Sequence, residues 1–265
     1  MLAALLRACH PEPAAAVTLV SGVLAIGAGL DARTVVAVTA AVGASQLAVG
    51  WSNDAIDAPR DAAVGRKDKP IPAGAVSRRV VAVGAVVAAG ACAVLAFVAG
   101  PGWWLLAALA SALLYNWPLK FTPASVVPFA VSFGLLPGFV MEAGPGVPAW
   151  MLAAGALLGA GAHFANVVPD LADDARTGVR GLPHRLGARG SLVAAAVLLL
   201  AATAVLVVGP PGPPSWFGFA AGAVAVAVLP LVGYWVMRAP GSRLPFRAVL
   251  VIAVLDVALL VVGGT

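Results

Sequence analysis

The sequence predicts an all-α, polytopic membrane protein with nine transmembrane helices and a cytoplasmic N-terminus. Three observations predict it. Hydrophobic residues make up 62% of the 265-residue chain and charged residues 10%, where a soluble domain carries about 25% charged residues. Apolar stretches recur from end to end, each near the roughly 17–25 residues that cross a bilayer core. The basic residues fall almost wholly in alternate connections, the pattern that orients membrane helices. Strands are not expected, because the apolar runs are long and do not alternate.

Taken in order, span 1 covers 13–30. It follows Arg7 as a signal peptide would, but it lacks a clear cleavage site and further spans follow, so it is read as retained. Span 2 covers 34–57 and ends in the acidic run Asn53-Asp54-Ala-Ile-Asp57. Span 3 covers 77–99 and stops at Gly100-Pro101-Gly102. Span 4 covers 102–118 and span 5 covers 123–141, which ends before Gly144-Pro145-Gly146. Span 6 covers 148–171 and runs into a second acidic cluster. Span 7 covers 189–209 and stops at the Pro/Gly run 209–214. Spans 8 and 9 cover 215–237 and 245–263.

The three Pro/Gly loops contain no Lys or Arg. The intervening loops carry Arg60, Arg66, Lys67, Lys69, Arg78 and Arg79, then Lys120, then Arg176, Arg180, Arg185 and Arg189, then Arg238, Arg243 and Arg247. With Arg7 these are 15 of the 16 basic residues, and only Arg33 lies opposite. Positive loops stay cytoplasmic. The net charge of +5 is therefore a topology signal, helped by anionic lipid, and nucleic acid is not expected as a partner. Cys9 and Cys92 belong to no CxxC pair or Cys/His cluster, and free thiols are expected.

Six of the 11 acidic residues form two clusters at cytoplasmic span ends: Asp54, Asp57, Asp61 and Asp170, Asp173, Asp174. On a helix, residues three and four apart share a face, and like charges there repel. Acids in or near a bilayer mark functional sites, and something cationic must offset them. Carboxylates suit a hard cation. Mg²⁺ takes one or two carboxylates with waters and phosphate oxygens, whereas Zn²⁺ prefers His or Cys. Arg66, Lys67 and Lys69 follow the first cluster, and Arg176, Arg180 and Arg185 follow the second. Acids interleaved with bases can hold both a metal and the anion it bridges. For either cluster alone, a solvated helix end is the competing reading. The clusters also resemble each other: Asp54-Ala-Ile-Asp57 answers to Asp170-Leu-Ala-Asp173, each with a Gly, a base and a hydrophobic-Pro pair after it. That suggests one domain over 1–265 with two pseudo-repeats, about 1–122 and 123–265.

Asn53-Asp54-x-x-Asp57-x-x-x-Asp61 resembles the first motif of the UbiA superfamily of intramembrane prenyltransferases, and Asp170-x-x-x-Asp174 resembles the second. Lys69-Pro70-Ile71-Pro72-Ala73-Gly74 is similar to that family's Arg-Pro-Ile-Pro-Ser-Gly. Tyr115…Pro118-Leu119-Lys120 and Gly178-Val179-Arg180-Gly181-Leu182-Pro183 resemble two further family segments. The resemblance covers about the whole chain. His10-Pro11 departs from it, standing where members often have Arg-Pro.

The resemblance implies helices around a central cavity, in a bacterial-type cell membrane, with the active site at the cytoplasmic face. It implies Mg²⁺-dependent prenyl transfer from a prenyl diphosphate to an aromatic or other lipid-soluble acceptor. Asp54, Asp57, Asp61, Asp170 and Asp174 would be the metal-binding, catalytic carboxylates. Asn53, Arg66, Lys69, Lys120, Asn166 and Arg180 would bind the diphosphate. Tyr115 would face the cation or acceptor. His163, on the face of Asn166 and Asp170, would either line the cation or acceptor pocket and orient a substrate or a carboxylate, or serve as a buried hydrogen-bonded histidine. The runner-up is an intramembrane terpene cyclase with the same ionising site. A cation-coupled transporter fits less well, since transporters place such acids near the midplane. Asp256, alone in span 9, should face inward and find a partner.

Overall fold

The computed structural model describes residues 1–66, 68–238 and 244–263. Lys67 and Arg243, counted above among the basic residues, lie outside them. Every regular element among the described residues is helical: α1 (Leu2–Ala8), α2 (Pro11–Gly27), α3 (Ala32–Ala63), α4 (Arg78–Ala99), α5 (Trp103–Asn116), α6 (Val126–Glu142), α7 (Ala149–Val167), α8 (Leu171–Arg176), α9 (Leu182–Val208), α10 (Trp216–Arg238) and α11 (Leu244–Gly263), with short 3₁₀ turns at Leu119–Phe121, Pro123–Ser125 and Val168–Asp170.

Six helical stretches are long and apolar enough to cross a membrane, or seven if α1 and α2, bent by 75°, are taken as one span. Two shorter apolar helices, Trp103–Asn116 and Trp216–Val228, occupy the segments expected as spans 4 and 8. By length and composition alone, then, the described helices give six or seven spans where nine apolar segments were expected.

The chain forms two compact units. The first holds Met1–Pro118 with Phe139–Gly146; the second holds Leu119–Gly138 with Val147–Thr265. In the first, α3 packs along α4, α2 and α5. The buried stripe of α4 is Val81, Ala85, Ala88, Cys92, Ala96 and Ala99, a three-and-four spacing of small residues that lets α3 come close. The opposite face, including Val83, Val87, Val94 and Phe97, is apolar and exposed, as suits lipid. In the second unit, α9 packs against α7, α10 and α11. Gly155 and Gly159 of α7 lie under the carbonyls of Phe133 and Phe129 of α6, where a Cβ would collide.

Local chemistry sets the helix that carries the first motif. Asp31 caps α3, its Oδ1 accepting from the Arg33 and Thr34 amides at 3.0 and 3.2 Å. The Thr34 hydroxyl, with those amides, holds the Asp31 carboxyl below its usual range. The sequence places the end of this helix near Asp57, yet α3 continues to Ala63 through Pro59. Proline has no N–H, so the Ala55 carbonyl one turn back loses its helical donor. Arg78 Nε supplies the missing hydrogen bond at 2.7 Å, and Asp61 thereby stays on the helix.

Candidate active site

The first motif lies on the buried face of α3. That face reads Val38, Ala41, Val42, Ser45 and Ala48, and then turns from apolar side chains to Asp54, Asp57 and Asp61. The three carboxylates are 2%, 6% and 5% exposed, so each needs a cationic or hydrogen-bonding partner. Asp54 Oδ1 accepts from Lys69 Nζ at 2.7 Å. Asp57 Oδ2 pairs with Arg60 Nη2 at 3.0 Å. Asp61 makes no side-chain hydrogen bond or ion pair among the described residues. Asp54 Oδ2 is buried with no hydrogen-bond partner.

Asn53 is set by a residue the sequence did not single out. Asn116, 2% exposed, accepts from Asn53 Nδ2 at 3.3 Å and donates to the Val49 carbonyl and Ser52 Oγ at 2.9 and 2.7 Å. All four lie in the first unit, as does half-buried Tyr115 in the last turn of α5. After α3 the chain turns at Gly65 (φ 73°). Arg66 Nε and Nη2 grip Asp68 at 3.2 and 2.8 Å, and that fork holds the Asp68 carboxyl below its usual range. The segment Lys69–Ala75 closes on itself through the Ala73-to-Lys69, Gly74-to-Ile71 and Ala75-to-Pro70 amide hydrogen bonds, which fixes where Lys69 begins.

A second unanticipated feature is the N-terminal segment. α1 is stapled to α3 by Trp51 Nε1 donating to the Leu5 carbonyl at 2.8 Å. His10 follows it with a left-handed backbone (φ 55°). Its Nε2 lies 3.2 Å from Lys69 Nζ and 3.6 Å from Asp54 Oδ1. No sequence signal links residues this far apart.

In the second unit, Pro169 breaks the end of α7 into a 3₁₀ turn before the short α8. Asp170 and Asn166 are exposed and Asp174 is half-buried. Asp173 pairs with Arg176 at 2.9 Å, and Asp174 Oδ2 lies 3.3 Å from His184 Nε2. Arg180 lines an open hollow with Ala175, Val179, His184 and Arg185. Lys120 is buried, its Nζ 5.5 Å from the centre of the Phe121 ring. His163 is 1% exposed, lies beside Phe129 and Phe164, and has Nε2 3.0 Å from Ser125 Oγ. That oxygen also accepts the Leu182 amide at 2.9 Å. His163 is thus buried and packed between aromatic rings within the second unit. Asp256 is also buried, 2.5 Å from Thr203 Oγ1 on α9.

The two motifs share a local register that differs from the one read in sequence. In each, the amide after a left-handed glycine closes on an aspartate carbonyl: Arg66 on Asp61 past Gly65, Val179 on Asp174 past Gly178, both at 3.0 Å. This pairs Asp61 with Asp174, Asp57 with Asp170, and Asn53 with Asn166. At the same spacing Ala62 meets Ala175 and Pro70 meets Pro183. Asp54 and Lys69 then correspond to Val167 and Leu182. The Asp54–Lys69 pair is thus peculiar to the first motif.

Among the described residues no three acids, histidines or cysteines converge into a finished metal cage. The donor set nonetheless fits a hard cation: oxygen ligands only, a buried Asp54 oxygen with no partner, and Lys69 and Arg60 standing as cations beside Asp54 and Asp57.

The profile of the UbiA prenyltransferase family matches residues 14–255. A digeranylgeranylglyceryl phosphate synthase from Methanopyrus kandleri is 34% identical over 194 residues, covering 71% of this chain and 70% of the relative. Among solved structures, an apo UbiA homologue from Aeropyrum pernix K1 superposes with a TM-score of 0.69 at 20% identity, covering 93% of this chain and 97% of the other. A UbiA homologue from Archaeoglobus fulgidus bound to DMAPP and Mg²⁺ gives a TM-score of 0.67 at 15% identity, covering 98% of each chain.

Proposed function

The chain belongs to the UbiA prenyltransferase family, and from that membership we propose that it transfers a prenyl group from a prenyl diphosphate to a lipid-soluble acceptor, with Mg²⁺ as cofactor. The observation that carries the residue assignment is the shared register: an Asn and two carboxylates at one spacing before one kind of turn, twice.

Asp57 and Asp61, with Asp54 beside them, would hold Mg²⁺ in the first motif, and Asp170 and Asp174 would hold it in the second. Bound Mg²⁺ would add positive charge at the diphosphate oxygens as the C–O bond breaks. Asn53 and Asn166 donate amide hydrogens to the diphosphate. Arg66, Lys69, Lys120 and Arg180 add charge that stabilises the leaving pyrophosphate. The bond between C1 and oxygen breaks, its electron pair leaving on pyrophosphate. The acceptor's nucleophilic atom bonds to C1 and releases its proton. Tyr115 is the proposed aromatic neighbour of the allylic cation. His163, locked to Ser125, serves the framework.

The N-terminus is placed in the cytoplasm and both motif turns at the cytoplasmic face of a cell membrane; the basic loops support this. The matching registers support one domain of two pseudo-repeats, about 1–122 and 123–265. The Methanopyrus relative is named for making digeranylgeranylglyceryl phosphate, which makes geranylgeranylglyceryl phosphate the acceptor to try first, before an aromatic acid.

The test is purified protein incubated with Mg²⁺ and labelled prenyl diphosphates of several lengths, with and without acceptor. Labelled adduct that needs both acceptor and Mg²⁺ is the expected result. A cyclic hydrocarbon formed without acceptor would replace transfer by cyclisation. No turnover with any prenyl diphosphate would overturn both.

A further inference from the structure

The proposed diphosphate site leaves His10 without a role, yet three ties hold it in place. α1 is fixed to α3 by the Trp51–Leu5 hydrogen bond. Gly50 allows the Cys9 backbone to lie against α3, where a Cβ would collide with the Cys9 carbonyl. Arg7 Nη2 donates to the Asp68 carbonyl at 2.8 Å, binding α1 to the loop that carries Lys69. Between these ties His10 adopts φ 55°, ψ 70°. A non-glycine residue persists there only where its surroundings over-determine it, and such residues gather at functional sites.

The ammonium of Lys69 has no acceptor of its own. It therefore donates to both neighbours: Asp54 Oδ1 at 2.7 Å and His10 Nε2 at 3.2 Å. With Lys69 as the donor, His10 Nε2 serves as the acceptor, a role assigned from that partner. One acceptor would leave a four-carbon side chain free to swing about a single bond. Two acceptors, one from α3 and one from the α1–α2 bend, fix the ammonium in space. The second motif has no such device, because Val167 and Leu182 stand at the places of Asp54 and Lys69.

Resting on the diphosphate site proposed above, we infer that His10 is a positioning residue for Lys69, its Nε2 and Asp54 together aiming the ammonium at the prenyl diphosphate. His10 acts through Lys69 and not on the substrate itself. It sets the binding of the diphosphate group and leaves the binding of the divalent cation unchanged.

The experiment is a double-mutant cycle on the full-length protein in detergent, with two binding readouts. One is the Kd of a non-reacting prenyl diphosphate analogue in the presence of Mn²⁺. The other is the Kd of Mn²⁺ alone, read by its paramagnetic signal. His10→Ala weakens analogue binding about tenfold, the scale of one charge-assisted hydrogen bond, and leaves Mn²⁺ binding unchanged. Lys69→Met weakens analogue binding at least as much. The double variant H10A/K69M is no weaker than K69M. His10→Gln, whose amide oxygen accepts from Lys69, restores binding. Additive losses in the double variant, unchanged binding in H10A, equal loss in H10Q, or Mn²⁺ binding weakened by H10A would each overturn the inference. A parent protein that binds Mn²⁺ but no prenyl diphosphate would instead refute the function on which it rests.

Discussion

At the scale of single residues, side chains far apart in sequence set the geometry of the motif residues. Arg78 repairs the hydrogen bond that Pro59 removes from α3. Arg78→Met should leave the buried Ala55 carbonyl unpaired, at a cost of about 1–3 kcal/mol, read as a fall in thermal midpoint. The same variant should loosen the last turn of α3, read as faster amide exchange over 60–63. Asn116→Leu removes two donated hydrogen bonds and the acceptor of Asn53. It should raise the KM for prenyl diphosphate more than it lowers kcat, since Asn53 is released but the carboxylates stay. An unchanged KM would remove Asn116 from the site's support. The motif acids themselves were legible, because three carboxylates at helical spacing in so apolar a chain demand a cation. Their supports were not: nothing in the residue types of His10, Arg78 or Asn116 says which distant backbone or side chain they reach.

At the scale of elements, most helices were legible from apolar runs and Pro/Gly breaks, while their ends were not. Span 2 was expected to cover 34–57, yet α3 reaches Ala63. Span 7 was expected to start at 189, but α9 begins at Leu182 and bends at Gly187 (φ 68°). α1 was not anticipated, since seven residues carry too little pattern. Close packing of α6 on α7 depends on glycine. Gly159→Ala should push α6 off α7 at the Phe129 carbonyl and destabilise the protein by about 1–3 kcal/mol. The same change at Gly90, which has open space around its Cβ position, should not. Equal effects at the two sites would refute the packing account.

At the scale of the whole molecule, charge distribution speaks to topology and composition to the membrane. The overall class was fixed by a chain that is 62% hydrophobic, and the family by its paired motifs. The register between the motifs was misread, because the sequence reading set Asp54-x-x-Asp57 against Asp170-x-x-Asp173; the turn hydrogen bonds choose Asp61 with Asp174, and the letters at that spacing, from Asn53 with Asn166 to Pro70 with Pro183, agree. Single cysteines at Asp68 and Pro211 test the orientation. An impermeant maleimide on intact cells should label Pro211→Cys and not Asp68→Cys; the reverse pattern would invert the protein. The central claim is the proposal that each carboxylate motif holds Mg²⁺ for diphosphate ionisation. Its most direct test is Mg²⁺-dependent pyrophosphate release by purified Asp57→Asn and Asp174→Asn. Each should lose at least about 100-fold of the turnover, the scale of removing one main electrostatic stabiliser, with thermal stability kept. Parent-level release by either variant, or release that persists in a chelator, would contradict the account.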